Sequence, residues 1–385
     1  MQFKRIFLIV MDSVGIGEAK DAVKFGDVGA NTLKHTIEFN KLELNYFNWL
    51  GLGNLLGGNN KTAGYYGKLA EMSNGKDTLT GHLEMMGIRS KVPFKTFPNG
   101  FPAELLKEIE KATGHRVIGN RAESGTEIIK QLGEEHIKTG NLIIYTSADS
   151  VLQVAAHEEI IPLKELYNIC SKIREITLKE EWRVGRIIAR PFIGTPGNFT
   201  RTPNRHDYAL NPPKKTVLDE LKNNGYEVIA IGKIADIFNN NGITYTIKTQ
   251  NNADGIEKIL DIMKKDFNGL CFANLNDFDT LYGHRRDPIG YGKALAYLDK
   301  SIPKIVKNLR EDDLLMFTAD HGNDPTFKGT DHTREYTPIF MYSKSFKYTG
   351  KLPEIGNFGD IGASIAKNFE LDAPSIGKDM FYLFK

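Results

Sequence analysis

The chain is 385 residues long, with 41% apolar and 25% charged side chains, which gives no indication of intrinsic disorder and allows one large domain plus a smaller one. Its formal net charge of +2 argues against nucleic acid or an anionic membrane as the main partner, so any basic function must be local. Its two cysteines, Cys170 and Cys271, stand in neither metal nor redox spacing and fit a reducing cytoplasm.

The first apolar run, IFLIVM, spans six residues from Ile6 to Met11. That is short of the roughly 7–15 of a signal h-region or the roughly 20 of a membrane span, so no targeting or membrane segment is expected. Asp12 closes this run, and Gly15 and Gly17 follow without completing a dinucleotide fingerprint; they read as backbone clearance near bound metals. Next comes GKDTLTGH, where Asp77, Thr78 and Thr80 precede an apolar stretch and would also serve as helix N-caps. Lys76 beside them is a structural or solvated lysine, or a phosphate partner.

Pro93, Pro98, Gly100 and Pro102 mark an exit from the first fold unit, and Pro212 with Pro213 marks the return. Between them lie LIIYTSAD, PLKELYNICSKIREI and WRVGRIIARPFIGTPGNFTRTPNR, which predict a compact α+β insertion, a cap over residues 95–212. The last segment holds five arginines, Arg183, Arg186, Arg190, Arg201 and Arg205. Guanidinium forks bind phosphate oxygens in pairs, although each arginine alone equally suits a solvated basic face.

Beyond the return, TVLDELKNNG, GIEKILDIMKKD and GKALAYLDKSIPKIVKNL read as amphipathic helices, with Gly225 as a helix stop. The runs VIAIGK, LCFANLND, LLMFTADH and PIFMYS are continuously apolar rather than alternating, as strands buried on both faces of a parallel sheet are. The fold class expected is therefore α/β: a largely parallel sheet with helices on both faces, built from residues 1–94 and 213–385. Ligands of such sheets gather beyond the carboxyl ends of strands. Asp12, Asp279, Asp320 and His321 all end their runs, which predicts four strands aimed at one crevice.

The candidate ligands form a two-metal inventory: Asp12, Asp279, Asp320, His284, His321 and His332, with the hydroxyl of Thr78. Three carboxylates bring about −3 to two divalent cations, leaving a positive site suited to a phosphate dianion and to phosphoryl transfer. Mixed carboxylate and imidazole ligands suit zinc, manganese or iron better than calcium. Thr78 is the candidate nucleophile, since a metal on its oxygen would supply the alkoxide that free threonine lacks; chemistry alone leaves Thr80 open.

The segments MDSVGIGEA, GKDTLTGH, NDFDTLYGHRRDPIGYG, TADHGNDP and GTDHTREYTP resemble the phosphopentomutases of the alkaline phosphatase superfamily, over nearly the whole chain. The resemblance implies an alkaline-phosphatase-like core, one manganese on Asp12, Asp320 and His321 with Thr78 bridging, and a second on Asp279, His284 and His332. It favours Thr78 over Thr80, because related phosphoglycerate mutases carry the nucleophile at the same offset before a Gly-His pair, here Gly81 and His82. One departure is Leu83, where the family often has tryptophan. Arg186 and Arg201 are implied as substrate-binding, with Asp149 holding the sugar and Lys233 a further candidate.

The activity implied is interconversion of ribose or 2-deoxyribose 1-phosphate and the 5-phosphate, through phosphothreonine and a pentose 1,5-bisphosphate, with cap closure excluding water. Glucose 1,6-bisphosphate or ribose 1,5-bisphosphate would prime the enzyme. The partners expected are small pentose phosphates, met by a cytoplasmic monomer without nucleic acid or membrane. Two other classes use the same residues: a metal-dependent phosphatase or phosphodiesterase, and a catalytically silent sugar-phosphate-binding protein.

Overall fold

In the computed structural model, which describes residues 2–92, 94–147 and 150–384, the apolar runs become strands buried along all or nearly all of their length. Arg5–Met11 lies at the centre of its sheet, paired in parallel with Gly269–Leu275 on one side and Asp313–Thr318 on the other. Successive side chains of a strand point to opposite faces. Thus Ile6, Leu8 and Val10 enter one apolar cluster, with Leu218, Leu221, Ile361 and Ile365 from the helices Val217–Asn223 and Gly359–Asn368. Phe7, Ile9 and Met11 enter the other, with Ile256, Ile259, Leu295 and Ile302 from Asn252–Met263 and Pro288–Asn308. Each fully buried Leu, Ile or Phe contributes about 1.5–3 kcal/mol, so the two helical layers hold the sheet from both sides.

The amino end of the central strand carries a charge, and it is matched. Arg5 Nε donates to Asp313 Oδ1 at 2.7 Å across the strand pair, and Arg5 Nη1 donates to the Met263 carbonyl at 2.9 Å. Removing either partner would strand a buried charge. The candidate ligands Asp12, Asp320 and His321 stand at the opposite end of the same strands.

Among the described residues this sheet has nine strands. Their order is Tyr245–Ile247, Glu227–Ile231, Gly269–Leu275, Arg5–Met11, Asp313–Thr318, Thr337–Tyr342, Tyr65–Ala70 and Gly350–Lys351, with Gly356–Asn357 also on Tyr65–Ala70. The α/β class expected from the sequence is the one observed, with one refinement. Thr337–Tyr342 runs antiparallel to both neighbours, yet it is buried on both faces, so its run PIFMY reads like that of a parallel strand. Gly225 has a positive φ of 81° just past the helix Val217–Asn223, the left-handed stop its position suggests.

The chain divides into two compact units, Met1–Pro93 with Asn211–Lys385, and Phe94–Leu210. The second unit carries its own mixed sheet, ordered Val117–Ala122, Leu142–Thr146, Val151–His157, Arg186–Thr195 and Asn198–Arg201, with His206–Ala209 also pairing Arg186–Thr195. Leu142 and Ile144 face a cluster with the helices Ala103–Thr113 and Leu163–Ile176, while Ile143 and Tyr145 face Ile128 and Ile129 of Gly125–Thr139. Among the described residues, no helix is long and apolar enough to cross a membrane.

Candidate metal centre

Three strands of the discontinuous unit deliver the site, not the four expected, because Asp320 and His321 share one strand end. Asp12 follows Met11 directly, and Asp320 and His321 come just after Thr318. Asp279 does not close its strand. It lies four residues past Leu275, in a π-helical turn, Phe278–Gly283, closed by the His284 amide bonding the Asp279 carbonyl at 3.0 Å. Such wide turns recur at functional sites, and this one brings Asp279 and His284 to the same side.

Each carboxylate of the first group has one oxygen held and one bare. Asp12 Oδ2 accepts from Asn274 Nδ2 at 3.0 Å, and Asp320 Oδ1 accepts from the Ser13 amide at 3.0 Å. The other oxygens, Asp12 Oδ1 and Asp320 Oδ2, are buried without a hydrogen-bond partner among the described residues. Both lie 3.4 Å from His321 Nε2. His82 Nδ1 is 3.3 Å from Asp320 Oδ2, but its hydrogen is directed to the Thr78 carbonyl at 2.8 Å. Two orphaned anionic oxygens at one point would be costly without a cation.

The imidazoles are oriented alike. Nδ1 of His284, His332 and His321 each meets a backbone carbonyl, of Thr330 at 2.8 Å, Lys76 at 2.9 Å and Gly322 at 3.1 Å. A carbonyl only accepts, so each ring carries its proton on Nδ1 and presents the Nε2 lone pair, the arrangement that outer partners impose on metal-bound histidines. His284 Nε2 and His332 Nε2 then face each other at 3.1 Å, beside Asp279 oxygens at 3.2 and 3.3 Å. Facing lone pairs require a proton or a metal between them.

Without a metal, a proton on Nε2 of His321 takes the cation's place between the carboxylates. Burial disfavours charge on His321, yet the carboxylates of Asp320 and Asp12 hold its pKa well above the ordinary imidazole value. Asp279 is likewise buried, and His332 and His284 draw its pKa well below the usual carboxylate range. The Asp12, Asp320, His321 and the Asp279, His321, His332 donor atoms form two groups that could each hold an ion. The donor set, mixed oxygen and nitrogen with bare buried carboxylate oxygens, fits divalent transition metals.

Thr78 is the first residue of the helix Thr78–Met85, and its Oγ1 lies 3.1 Å from His321 Nε2. Thr80 is committed elsewhere: its amide and hydroxyl both donate to the Asp77 cap, at 3.0 and 2.6 Å. Gly81 lets this helix close on the site, since a Cβ there would lie 2.2 Å from the Asp320 carbonyl oxygen. Gly15 is required similarly, its hypothetical Cβ falling 2.4 Å from Glu335 Oε2. Leu83 belongs to the apolar cluster under the sheet, so that departure from the family pattern concerns packing. Lys76 is structural, bridging Asp27 at 3.0 Å and Asp331 at 2.9 Å, while its carbonyl orients His332.

Lys233 stands past the strand Glu227–Ile231, where Nζ donates to Asn276 Oδ1 at 3.2 Å; it shares the sheet end without a bond to a metal-site carboxylate in that contact. Asp149 lies outside the described residues. In the second unit, Arg201 lines an open pocket of about 550 Å³ with Arg190, Arg205, Pro191, Thr202 and Pro203. Arg186 does not line that pocket; its Nη1 is 3.7 Å from Asp207 Oδ2. Burial first, then Arg205 and Arg201, lowers the pKa of Arg190, the strain of clustered cations that an anion would relieve. Tyr145 Oη is buried there without a hydrogen-bond partner among the described residues, and a Cβ on Gly125 would lie 2.5 Å from it and 3.6 Å from Arg201 Nη1.

Sequence reasoning passed over Asn274, Asn323 and Ser13, which fix the carboxylates. The signal for Asn274 was a polar residue inside the apolar run LCFANL. Asn323 sat in plain view in DHGND, and its Nδ2 donates to Asp279 Oδ1 at 2.8 Å.

Among solved structures, the chain is similar to the PH0037 protein from Pyrococcus horikoshii, at 13% identity over 98% of this chain and 100% of that one, with a TM-score of 0.50. It also matches a phosphoglycerate mutase from Leishmania mexicana at 13% identity, 98% and 97% coverage and a TM-score of 0.47. The first likeness speaks to fold alone, and the second is too distant to add to it. The family model is more decisive, for it matches residues 4–373 and so takes in every metal-site residue described above. The chain belongs to the Metalloenzyme superfamily.

Proposed function

We propose that the protein is a phosphopentomutase that interconverts (2-deoxy)ribose 1-phosphate and 5-phosphate by way of a phosphothreonine at Thr78. The observation that carries this reading is the pairing of the Thr78 hydroxyl, hydrogen-bonded to His321 Nε2 at 3.1 Å, with the orphaned oxygens of Asp12 and Asp320. One ion would be held by Asp12, Asp320, His321 and Thr78, the other by Asp279, His284 and His332. Bound divalent ions, manganese in this reading, would lower the pKa of the Thr78 hydroxyl and offset charge on the transferring phosphoryl group.

The phosphorylated Thr78 gives its phosphoryl group to the free end of a pentose monophosphate, breaking the threonine O–P bond and forming a sugar O–P bond. The 1,5-bisphosphate then returns its other phosphoryl group to Thr78, so the sugar is isomerised and no phosphate is released. Asp77 and Gly81 keep the helix that begins at Thr78 against the Asp320 segment, fixing the nucleophile. Arg186, Arg201, Asp149 and Lys233 are assigned to sugar phosphate recognition, and the clustered guanidiniums of Arg190, Arg201 and Arg205 support a phosphate-bearing substrate.

The test is covalent. Incubation with glucose 1,6-bisphosphate and manganese is expected to place one phosphoryl group on the peptide containing Thr78, read by mass spectrometry, and Thr78→Ala should take up none. Labelling elsewhere, or none in the wild type, would sink the assignment.

A further inference from the structure

Arg286 stands in the sequence as one of two adjacent arginines with no evident role, yet its half-buried guanidinium is almost wholly committed to acceptors of the protein itself. Nη1 donates to the Gly283 carbonyl at 2.8 Å and closely to Asn323 Oδ1, Nη2 donates to the Asp331 carbonyl at 2.8 Å, and Nε bonds closely to the Gly329 carbonyl. Four of the roughly five N–H donors of an arginine are thereby used, which leaves little for a substrate phosphate. The acceptors are also telling. Gly283 precedes His284; Gly329 and Asp331 flank Thr330, whose carbonyl receives His284 Nδ1 at 2.8 Å; Asp331 precedes His332. Asn323, the fourth acceptor, passes its own amide hydrogen to Asp279 Oδ1 at 2.8 Å.

One side chain therefore ties together the segments that carry Asp279, His284 and His332. Its backbone is left-handed, with φ of 51°, a conformation that is unfavourable for a non-glycine residue and persists only where the surroundings impose it. We infer that Arg286 is the positioning residue for the metal site made by Asp279, His284 and His332, and that it does not serve the site at Asp12, Asp320 and His321. The inference rests on the two-metal reading above. Outer partners of metal ligands typically govern about 10–100-fold of metal affinity, and a bidentate fork shared among carbonyls is not replaced by a lysine.

The experiment measures manganese binding to the metal-free full-length protein by calorimetry, with electron paramagnetic resonance of the bound ions. The wild type, Arg286→Lys, Arg286→Gly and His284→Ala are compared. Glycine removes the side chain while easing the left-handed backbone, and lysine keeps charge and stem. The expected result is two sites in the wild type, and in both Arg286 variants one site weakened about 10–100-fold with the other unchanged. The resonance of the remaining ion should then match that in His284→Ala, and unfolding midpoints without metal should stay near that of the wild type. Two sites of unaltered affinity in both variants, equal weakening of both sites, or loss of the fold in both would overturn the role. Fewer than two sites in the wild type would instead overturn the two-metal reading itself.

Discussion

Thr78 and Thr80 are two hydroxyls in one helical turn, and their partners separate them. Thr80 donates to Asp77, so it closes the cap; Thr78 Oγ1 faces His321 Nε2, so it is available to the reaction. Thr80→Ala should therefore lower stability by about 1–2 kcal/mol and leave most of the turnover. Thr78→Ala should lose roughly 10⁴-fold or more of the activity with manganese binding largely retained. Denaturant unfolding and steady-state kinetics on the two variants check this, and a reversed pattern would make Thr80 the nucleophile. Thr78 and the six candidate carboxylates and imidazoles could be picked out in the sequence because their types are those that hold metals. Their supports were not, since Asn274, Asn323 and Arg286 are of types that serve many purposes, and only the fold shows what each one touches.

The strands were legible as continuous apolar runs, but two of their properties were not. Burial on both faces gives the same pattern whether a strand is parallel or antiparallel, so the reversal of Thr337–Tyr342 left no mark. A π-helical turn has no hydrophobic period, so Asp279 looked like a strand terminus. Register explains the arginines. Arg201 pairs with Phe192, and Arg190, two residues away on the same face, joins it in the pocket. Arg186 lies four residues further from Arg190, roughly 13 Å along the strand.

The helix Gly125–Thr139 supplies a pH-sensitive element. His136 Nδ1 donates to the Asn141 carbonyl at 2.6 Å, and its Nε2 accepts from the His157 amide at 2.9 Å, so the ring must be neutral. Burial above all, then His157 and His115, lowers its pKa below the ordinary value. The unfolded chain, with a pKa of about 6.5, therefore takes up the proton first. The contribution of His136 to stability is whole above about pH 6.5 and is lost as pH falls from there through the folded pKa. In urea unfolding of the full chain, the stability advantage of the wild type over His136→Gln should shrink between about pH 7.5 and about pH 5.5; a constant difference would contradict this.

The two units divide the labour in the proposed reaction. The sheet of the discontinuous unit gathers three strand ends into a polar, anion-rich centre that suits cations, and the inserted unit carries an arginine cluster in which Arg205 is paired with Asp207. Metal chemistry follows from the first and from membership in the Metalloenzyme superfamily. A hydrolase and a mutase would share every one of these metal-site residues, and they differ only in whether water or a sugar hydroxyl accepts the phosphoryl group. The fate of the phosphate therefore decides between them. The most direct measurement is phosphorus NMR of ribose 5-phosphate incubated with the protein, manganese and a trace of glucose 1,6-bisphosphate. The account predicts ribose 1-phosphate without accumulation of free phosphate. Free phosphate without the isomer, or an unchanged spectrum, would contradict it.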